Sequence, residues 1–295
     1  MEVKQNFVFQ ADDDIIAEFY NNNPNYIIEY DHAVSKEYCV VYFSSNDLYY
    51  PNNEIAFTES VVNKNKFEWY KTRVGFGHKH IFLRDIKKQW YLTGINSNIN
   101  SPEALFNFLK EETKGYKPIL LGSSAGGFIS VILGQLLNAE RIYTFNGQFE
   151  ILSLLNKPEA ATVDPVLFRN RDNKNLLPYY KAVNFIKNPE TIFYFHSNKS
   201  QWDIQQNDEI KDYPVNRISF STTNHGIPFL KSNLPVVLNF SMQDLKRISG
   251  KTMHPLIFSL KTVGFIKTVQ GLKSIIQFGL NKIYIRTLQK WKKKD

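Results

Sequence analysis

Residues 117–137 read KPILLGSSAGGFISVILGQLL. A short apolar run stops at Gly-Ser-Ser-Ala-Gly-Gly, and the chain resumes at once as a long apolar stretch. The first run reads as a buried strand, and the second, apolar nearly all round, as a helix packed under a sheet. Between them, Gly122-Ser123-Ser124-Ala125-Gly126 matches G-x-S-x-G, a strand-to-helix turn that lifts its central serine above the sheet. Gly122 and Gly126 stand where a Cβ would meet neighbouring backbone, and Ala125 brings a small side chain and an N–H for an oxyanion. The helix N-terminus favours negative charge developing beside it. Ser124 has glycine at both −2 and +2; Ser123 is the alternative nucleophile.

Similar apolar, β-branched and aromatic runs recur on both sides of this turn: NYIIEY (25–30), EYCVVYFS (37–44), KHIFLRD (79–85), RIYTFNG (141–147), TIFYFHS (191–197) and NRISFST (216–222). Each ends in turn-forming residues, as strands do. Helix-like stretches lie between several of them; SPEALFNFLKEET (101–113) opens with a capping serine and a proline at the first helical position. Continuous apolar strands alternating with helices predict an α/β fold with a mostly parallel central sheet covered by helices on both faces. Residues 151–190 are too long for a simple crossover and read as a helical insertion roofing the strand ends. The expected organisation is a catalytic domain over 1–245, including that insertion, and a basic helical tail over 246–295.

The strand order then supplies partners for Ser124. In the α/β-hydrolase fold an acid follows a later strand and a histidine follows the last one, in the order Ser…Asp…His. TIFYFHSNKSQWD delivers Asp203, and NRISFSTTNHG delivers His225. Asp208 and Asp212 compete with Asp203, which lies nearest its strand end. A second oxyanion donor is expected from the loop after an early strand, Phe43 to Asp47, with the Ser44 or Ser45 N–H as candidates. Two further residues fall near the same sheet edge. Arg84 would contact an anionic substrate group or form a buried ion pair with Asp85, and His196 would line the pocket or serve a structural role.

Composition limits what else the chain does. It has 295 residues, 43% of them hydrophobic, enough for one substantial core. A single cysteine, Cys39, permits no internal disulfide and suits a reducing compartment. The start, MEVKQNFVFQADDD, lacks a signal-peptide pattern, so a cytoplasmic location is expected. From Lys246 onward there are 12 Lys and Arg against one acid, whereas the preceding residues hold the other 24 bases and 27 acids. The basic balance thus belongs to the tail, and nucleic acid is not an expected partner. Apolar residues beside cations there suit an anionic membrane surface or a polyanion, as against a helix docked on the body. Ile276, Leu280, Ile283 and Trp291 share one helix side, with Lys282, Arg286 and Lys290 adjacent; Ile285 and Leu288 break the separation. The histidines show no metal-ligand spacing, and no glycine-rich nucleotide loop is present.

The elbow GSSAGG, the segment TFNGQFE, the acid after TIFYFHS and the histidine of TTNHGIP together resemble bacterial capsular polysaccharide O-acetyltransferases of α/β-hydrolase fold, of the meningococcal serogroup A type. The resemblance covers about residues 37–230 and leaves out the insertion and the tail. It implies Ser124 as acyl acceptor, His225 as general base and acid, and Asp203 as its orienter. It also implies acetyl-CoA as donor, no bound cofactor, and a cytoplasmic sugar polymer or its precursor as acceptor. An ester or thioester hydrolase with the same residues is the competing enzyme. A non-catalytic, membrane-associated interaction module is a third possibility, disfavoured by the complete Ser-Asp-His set.

Overall fold

A computed structural model describes residues 7–291, with the side chains of 274–276 and 278–291 excepted. All seven expected strands form: β1 (Tyr26–Tyr30), β2 (Tyr38–Phe43), β3 (Lys79–Leu83), β4 (Lys117–Ser123), β5 (Arg141–Phe145), β6 (Ile192–Ser197) and β7 (Asn216–Phe220). An eighth, β8 (Thr252–Met253), lies within the segment expected to be tail. They form one sheet in the order β1-β3-β2-β4-β5-β6-β7-β8. Only the β1–β3 pair is antiparallel. This is the α/β-hydrolase arrangement, with the serine-bearing strand at the centre.

Alternate residues of each strand feed two separate cores. Cys39, Val41 and Phe43 of β2 pack with Leu105 and Leu109 of the helix Pro102–Glu112 and with Phe128 to Leu133 of the helix Ala125–Leu136. Val40 and Tyr42 face the other way, toward Val237, Leu245 and Phe258. The period of two therefore places helices on both faces, which is why the strands read as continuous apolar runs. Ser101 caps the helix Pro102–Glu112 through the Ala104 N–H, as its sequence signature requires.

Residues 152–191 fold as single helical turns and not as long helices. Pro165, Pro178 and Pro189 each sit in the first turn of one of them, so those three turns start afresh and do not extend the one before. The segment is tied down by the Glu150–Lys181 bridge and by the 2.6 Å Arg169–Asp12 ion pair.

The start of the tail belongs to the body. Phe258 packs on Phe220 and Phe229. The Ser259 hydroxyl bonds Asn233 and Thr268 across a break in the helix Pro255–Trp291 at Gly264, whose φ is 79°. The opposite side exposes Ile257, Leu260, Phe265 and Ile266, the last two 72% accessible. The side chains of Ile276, Leu280, Lys282, Ile283, Ile285, Arg286, Leu288, Lys290 and Trp291 lie outside the described residues. Among the described residues, no helix is long and apolar enough to cross a membrane.

A Cβ on Gly126 would stand 2.4 Å from the Phe43 carbonyl oxygen, which is rigid backbone. Gly126→Ala is expected to lower stability by about 1–3 kcal/mol through overpacking, seen as a lower urea midpoint at unchanged slope. An unchanged midpoint would show that β2 has room to yield.

Candidate active site

Ser124 follows β4 and precedes the helix Ala125–Leu136, with φ 50° and ψ −121°. Such a conformation costs about 1–3 kcal/mol outside glycine and holds only where neighbours enforce it. They do: a Cβ on Gly122 would lie 2.3 Å from the Gly126 carbonyl, so strand and helix approach as closely as bare backbone allows. The Ser124 N–H donates to the Phe145 carbonyl (3.0 Å), fixing the turn against β5. Ser123, by contrast, is buried as the last residue of β4 and pairs with Phe145.

The three residues selected from the chain order form one hydrogen-bonded line. Ser124 Oγ is 3.0 Å from His225 Nε2, and His225 Nδ1 is 2.8 Å from Asp203 Oδ1. Asp203 is fully buried in the first turn of the helix Gln201–Asp208, capped by Ser200, so it sits on a helix and not on a loop. A helix N-terminus favours a carboxylate there. Asp208 and Asp212 are exposed, and neither pairs with His225. The His225 side chain is 39% accessible, whereas Asp203 is fully buried.

Two residues at the site escaped the sequence reading. Asn146, buried with φ 44°, donates its side-chain amide to the carbonyls of Asn224 and Gly226, on either side of His225, and to Ser197 Oγ. Its Oδ1 accepts the Ser197 N–H at 2.8 Å, so Asn146 locks the histidine loop to β6. Gln148, also buried, places Nε2 3.3 Å from Ser124 Oγ, while its Oε1 accepts the Trp90 indole N–H at 3.2 Å. The hint was NGQ directly after a strand, although polar turn residues there are too common to single out.

Four expectations are corrected. The Ser44 N–H extends the ladder to the Leu83 carbonyl (3.0 Å), and the Ser45 N–H donates to Glu68 Oε2 (2.5 Å), so neither stands ready for an oxyanion. Burial pushes the Glu68 carboxyl above its ordinary range. Arg84 is buried over the Phe67 ring and bonds Asn25 Oδ1 and the Lys66 carbonyl; burial lowers its pKa to about 10, and it does not pair with Asp85. Asp85 instead accepts the N–H groups of Lys87, Gln89 and Tyr91. His196 is buried, stacked on Tyr194 and bonded to Ser219 Oγ at 2.7 Å, which makes it a core histidine. A cavity of about 430 Å³ is lined by Lys114 to Pro118 and Leu136 to Asn138, at the opposite end of β4 from Ser124.

No family model matches this sequence, and no curated protein matches it. Several solved structures are similar in shape. The capsule O-acetyltransferase of Neisseria meningitidis serogroup A shares 11% identity at a TM-score of 0.40, over 67% of this chain and 82% of that one. Esterase B from Lactobacillus rhamnosis shares 10% identity at 0.43, over 90% and 91%. A Staphylococcus aureus protein of unknown function shares 11% at 0.42, over 76% and 94%. At these values the sheet order and the elbow, not the likenesses, carry the fold assignment.

Burial holds His196 down at about 4, from an ordinary 6.5. Between those values the unfolded chain binds the extra proton, so stability falls as pH drops from 6.5 toward 4, by up to about 3 kcal/mol from this group. Urea titrations of His196→Gln across that window are expected to show a flatter pH dependence than wild type; an identical slope would mean that the imidazole is protonated in the fold.

Proposed function

We propose that this protein is a serine acyltransferase that moves an acetyl group from acetyl-CoA to hydroxyls of a capsular or other cell-surface polysaccharide through an acyl-Ser124 intermediate. The observation that carries this reading is the line Ser124–His225–Asp203 at a strained elbow. In the first half, Oγ attacks the thioester carbonyl as His225 Nε2 takes its proton. Asp203, dry and bonded to Nδ1, fixes the imidazole tautomer and stabilises the imidazolium. The tetrahedral adduct collapses with loss of the thiolate, which leaves with the proton from His225. In the second half, His225 deprotonates a sugar hydroxyl, which attacks the acyl carbonyl, and Oγ regains its proton. The Ala125 N–H, in the first helical turn with no acceptor among the described residues, supplies one oxyanion donor.

Near the site lies a cavity whose lining includes both lysines and Asp164. It measures about 140 Å³, between the insertion and the loop after β3, and is lined by Lys87, Lys88 and Trp90 on one side and by Val163 to Leu167 on the other. Trp90 links it to Ser124 through Gln148. The tail adds Lys261 and Lys267 beside exposed Phe265 and Ile266, a composition suited to an anionic membrane at which polymer is assembled. The location consistent with this is cytoplasmic, peripheral to the membrane. One observation favours a second reading, ester or thioester hydrolysis: the His225 side chain is 39% accessible, which leaves it open to water.

Intact-mass spectrometry with acetyl-CoA, with and without an anionic capsule polymer, separates the readings. A single acetyl on Ser124, thiol release accelerated by polymer and acetyl retained on the polymer are expected. Thiol release indifferent to polymer, ending as acetate, would favour the hydrolase. Ser124→Ala is expected to remove both adduct and turnover while leaving the thermal midpoint in place; full turnover in that variant would overturn the assignment. In a separate assay, co-sedimentation with phosphatidylserine vesicles is expected to fall on Phe265→Ser with Ile266→Ser, and equal sedimentation would remove the membrane from the proposal.

A further inference from the structure

An oxyanion site needs two donors, and the two candidates expected from the loop after β2 are engaged here, because Ser44 and Ser45 already donate to Leu83 and Glu68. We infer that the second donor is the side-chain amide of Gln148, acting with the Ala125 N–H. The inference rests on Ser124 being the nucleophile and extends that reading to the electrostatics of the same site.

Three observations converge on this residue. Gln148 Nε2 lies 3.3 Å from Ser124 Oγ, and the oxyanion of an adduct hangs on the same carbon as that oxygen. Its backbone is carried to the first turn of the elbow helix by an approach so close that a Cβ on Gly147 would lie 3.0 Å from the Gly127 Cα. Gln148 and Ala125 therefore meet at one helix N-terminus, where the peptide dipoles also favour an anion. Lastly, the amide has a fixed orientation. Oε1 accepts the Trp90 indole N–H, which leaves Nε2, the donor end, directed at the serine. An amide free to flip would present its oxygen half the time and repel the charge it should hold.

The support beneath Trp90 is built for this task. Trp90 and Tyr91 both have positive φ, 53° and 62°, a costly conformation for large side chains. The turn is enforced by Asp85, whose buried carboxylate collects the N–H groups of Lys87 (3.0 Å), Gln89 (2.6 Å) and Tyr91 (2.9 Å). Tyr91 adds a bond from its hydroxyl to the Ser44 carbonyl (2.9 Å), joining the turn to the loop after β2. Trp90 is a positioning residue, and Gln148 is the one that touches the reacting atoms.

The test uses the full chain with p-nitrophenyl acetate and acetyl-CoA, so no acceptor has to be known. Gln148→Ala is expected to lower kcat about 100–1000-fold with KM within a few-fold, the effect of losing one oxyanion donor. Gln148→Glu keeps shape and burial but offers a carboxylate in place of a donor, and is expected to be at least as impaired. A role confined to packing would not change affinity for a tetrahedral mimic, so a boronic acid inhibitor gives the second reading. Its Ki is expected to rise in Gln148→Ala in parallel with the loss in kcat. Trp90→Phe, which removes only the indole donor, is expected to show a smaller loss of the same kind. Should Gln148→Ala and Gln148→Glu both turn over within threefold of wild type while Ser124→Ala is inactive, the inference falls and the nucleophile assignment stands. Should Ser124→Ala retain full turnover, both fall together. If Gln148→Ala is impaired but its boronate affinity is unchanged, the residue is structural and the inference is overturned.

Discussion

The contact between bare backbone at Gly122 and Gly126 is the constraint on which the rest of the site depends. It draws the end of β4 and the start of the next helix so close that the residue between them is forced to φ 50°. That strain points the Ser124 hydroxyl out of the sheet, beside the first N–H groups of the helix, which as in any helix lack intrahelical acceptors. Gly126 also meets the Phe43 carbonyl, so the same contact sets the depth at which β2 passes the helix. A site placed this way owes its precision to sterics within a crossing of two regular elements, and loops have only to approach it.

His225 is brought in by different physics. Its loop has no regular structure, and what fixes it is Asn146, which reaches across from the end of β5 to carbonyls on both sides of the histidine. The carboxylate partner is buried while the imidazole remains partly wet. Asp203 therefore acts from a dry position, where its charge is least screened, on a ring whose other edge meets the substrate. Both features come from strands adjacent in the sheet, so the order β4-β5-β6-β7 is also the order in which the site is assembled.

The legible parts of this fold were those written in local pattern. Apolar runs bounded by turn residues located seven strands, and glycines two residues either side of Ser124 located the elbow. The chain order then pointed to Asp203 and His225, now joined through hydrogen bonds of 2.8 and 3.0 Å. The missed or misread parts depend on which partner a polar group finds in three dimensions. Arg84 and His196 each stand at a strand end, where a pocket-lining and a structural role were both open; Arg84 packs on Phe19 and Phe67 and His196 stacks on Tyr194, so the structural role is the one seen. Ser44 and Ser45 occupied the expected loop, yet a ladder carbonyl and a distant Glu68 had already taken their N–H groups. Asn146 and Gln148 were invisible for the converse reason: nothing in NGQ announces a clamp and a donor. The two-residue β8 was too short to leave a pattern, and so the tail appeared to start before the sheet had ended.

The segment from Asn146 to Glu150 has a consequence for how such a chain can vary. Asn146 holds the histidine loop, Gly147 abuts the elbow helix and Gln148 touches the serine. The N–H groups of Phe149 and Glu150 then bind Gln206 Oε1, one turn beyond Asp203 on the same helix. Adding one residue here would shift every one of these attachments out of register at once. From Leu152 the chain is released into single helical turns, and at Lys181 it is caught again by its bridge to Glu150. Between those two points the chain touches the body mainly through Leu154, Leu167, Leu176 and Tyr180, which pack in the same core as the elbow helix, while its exposed turns make no bond to the triad. The fold thus sets a segment whose every residue is attached beside one held at a few apolar anchors, so that changes of length between anchors disturb the triad far less than a change within Asn146 to Glu150.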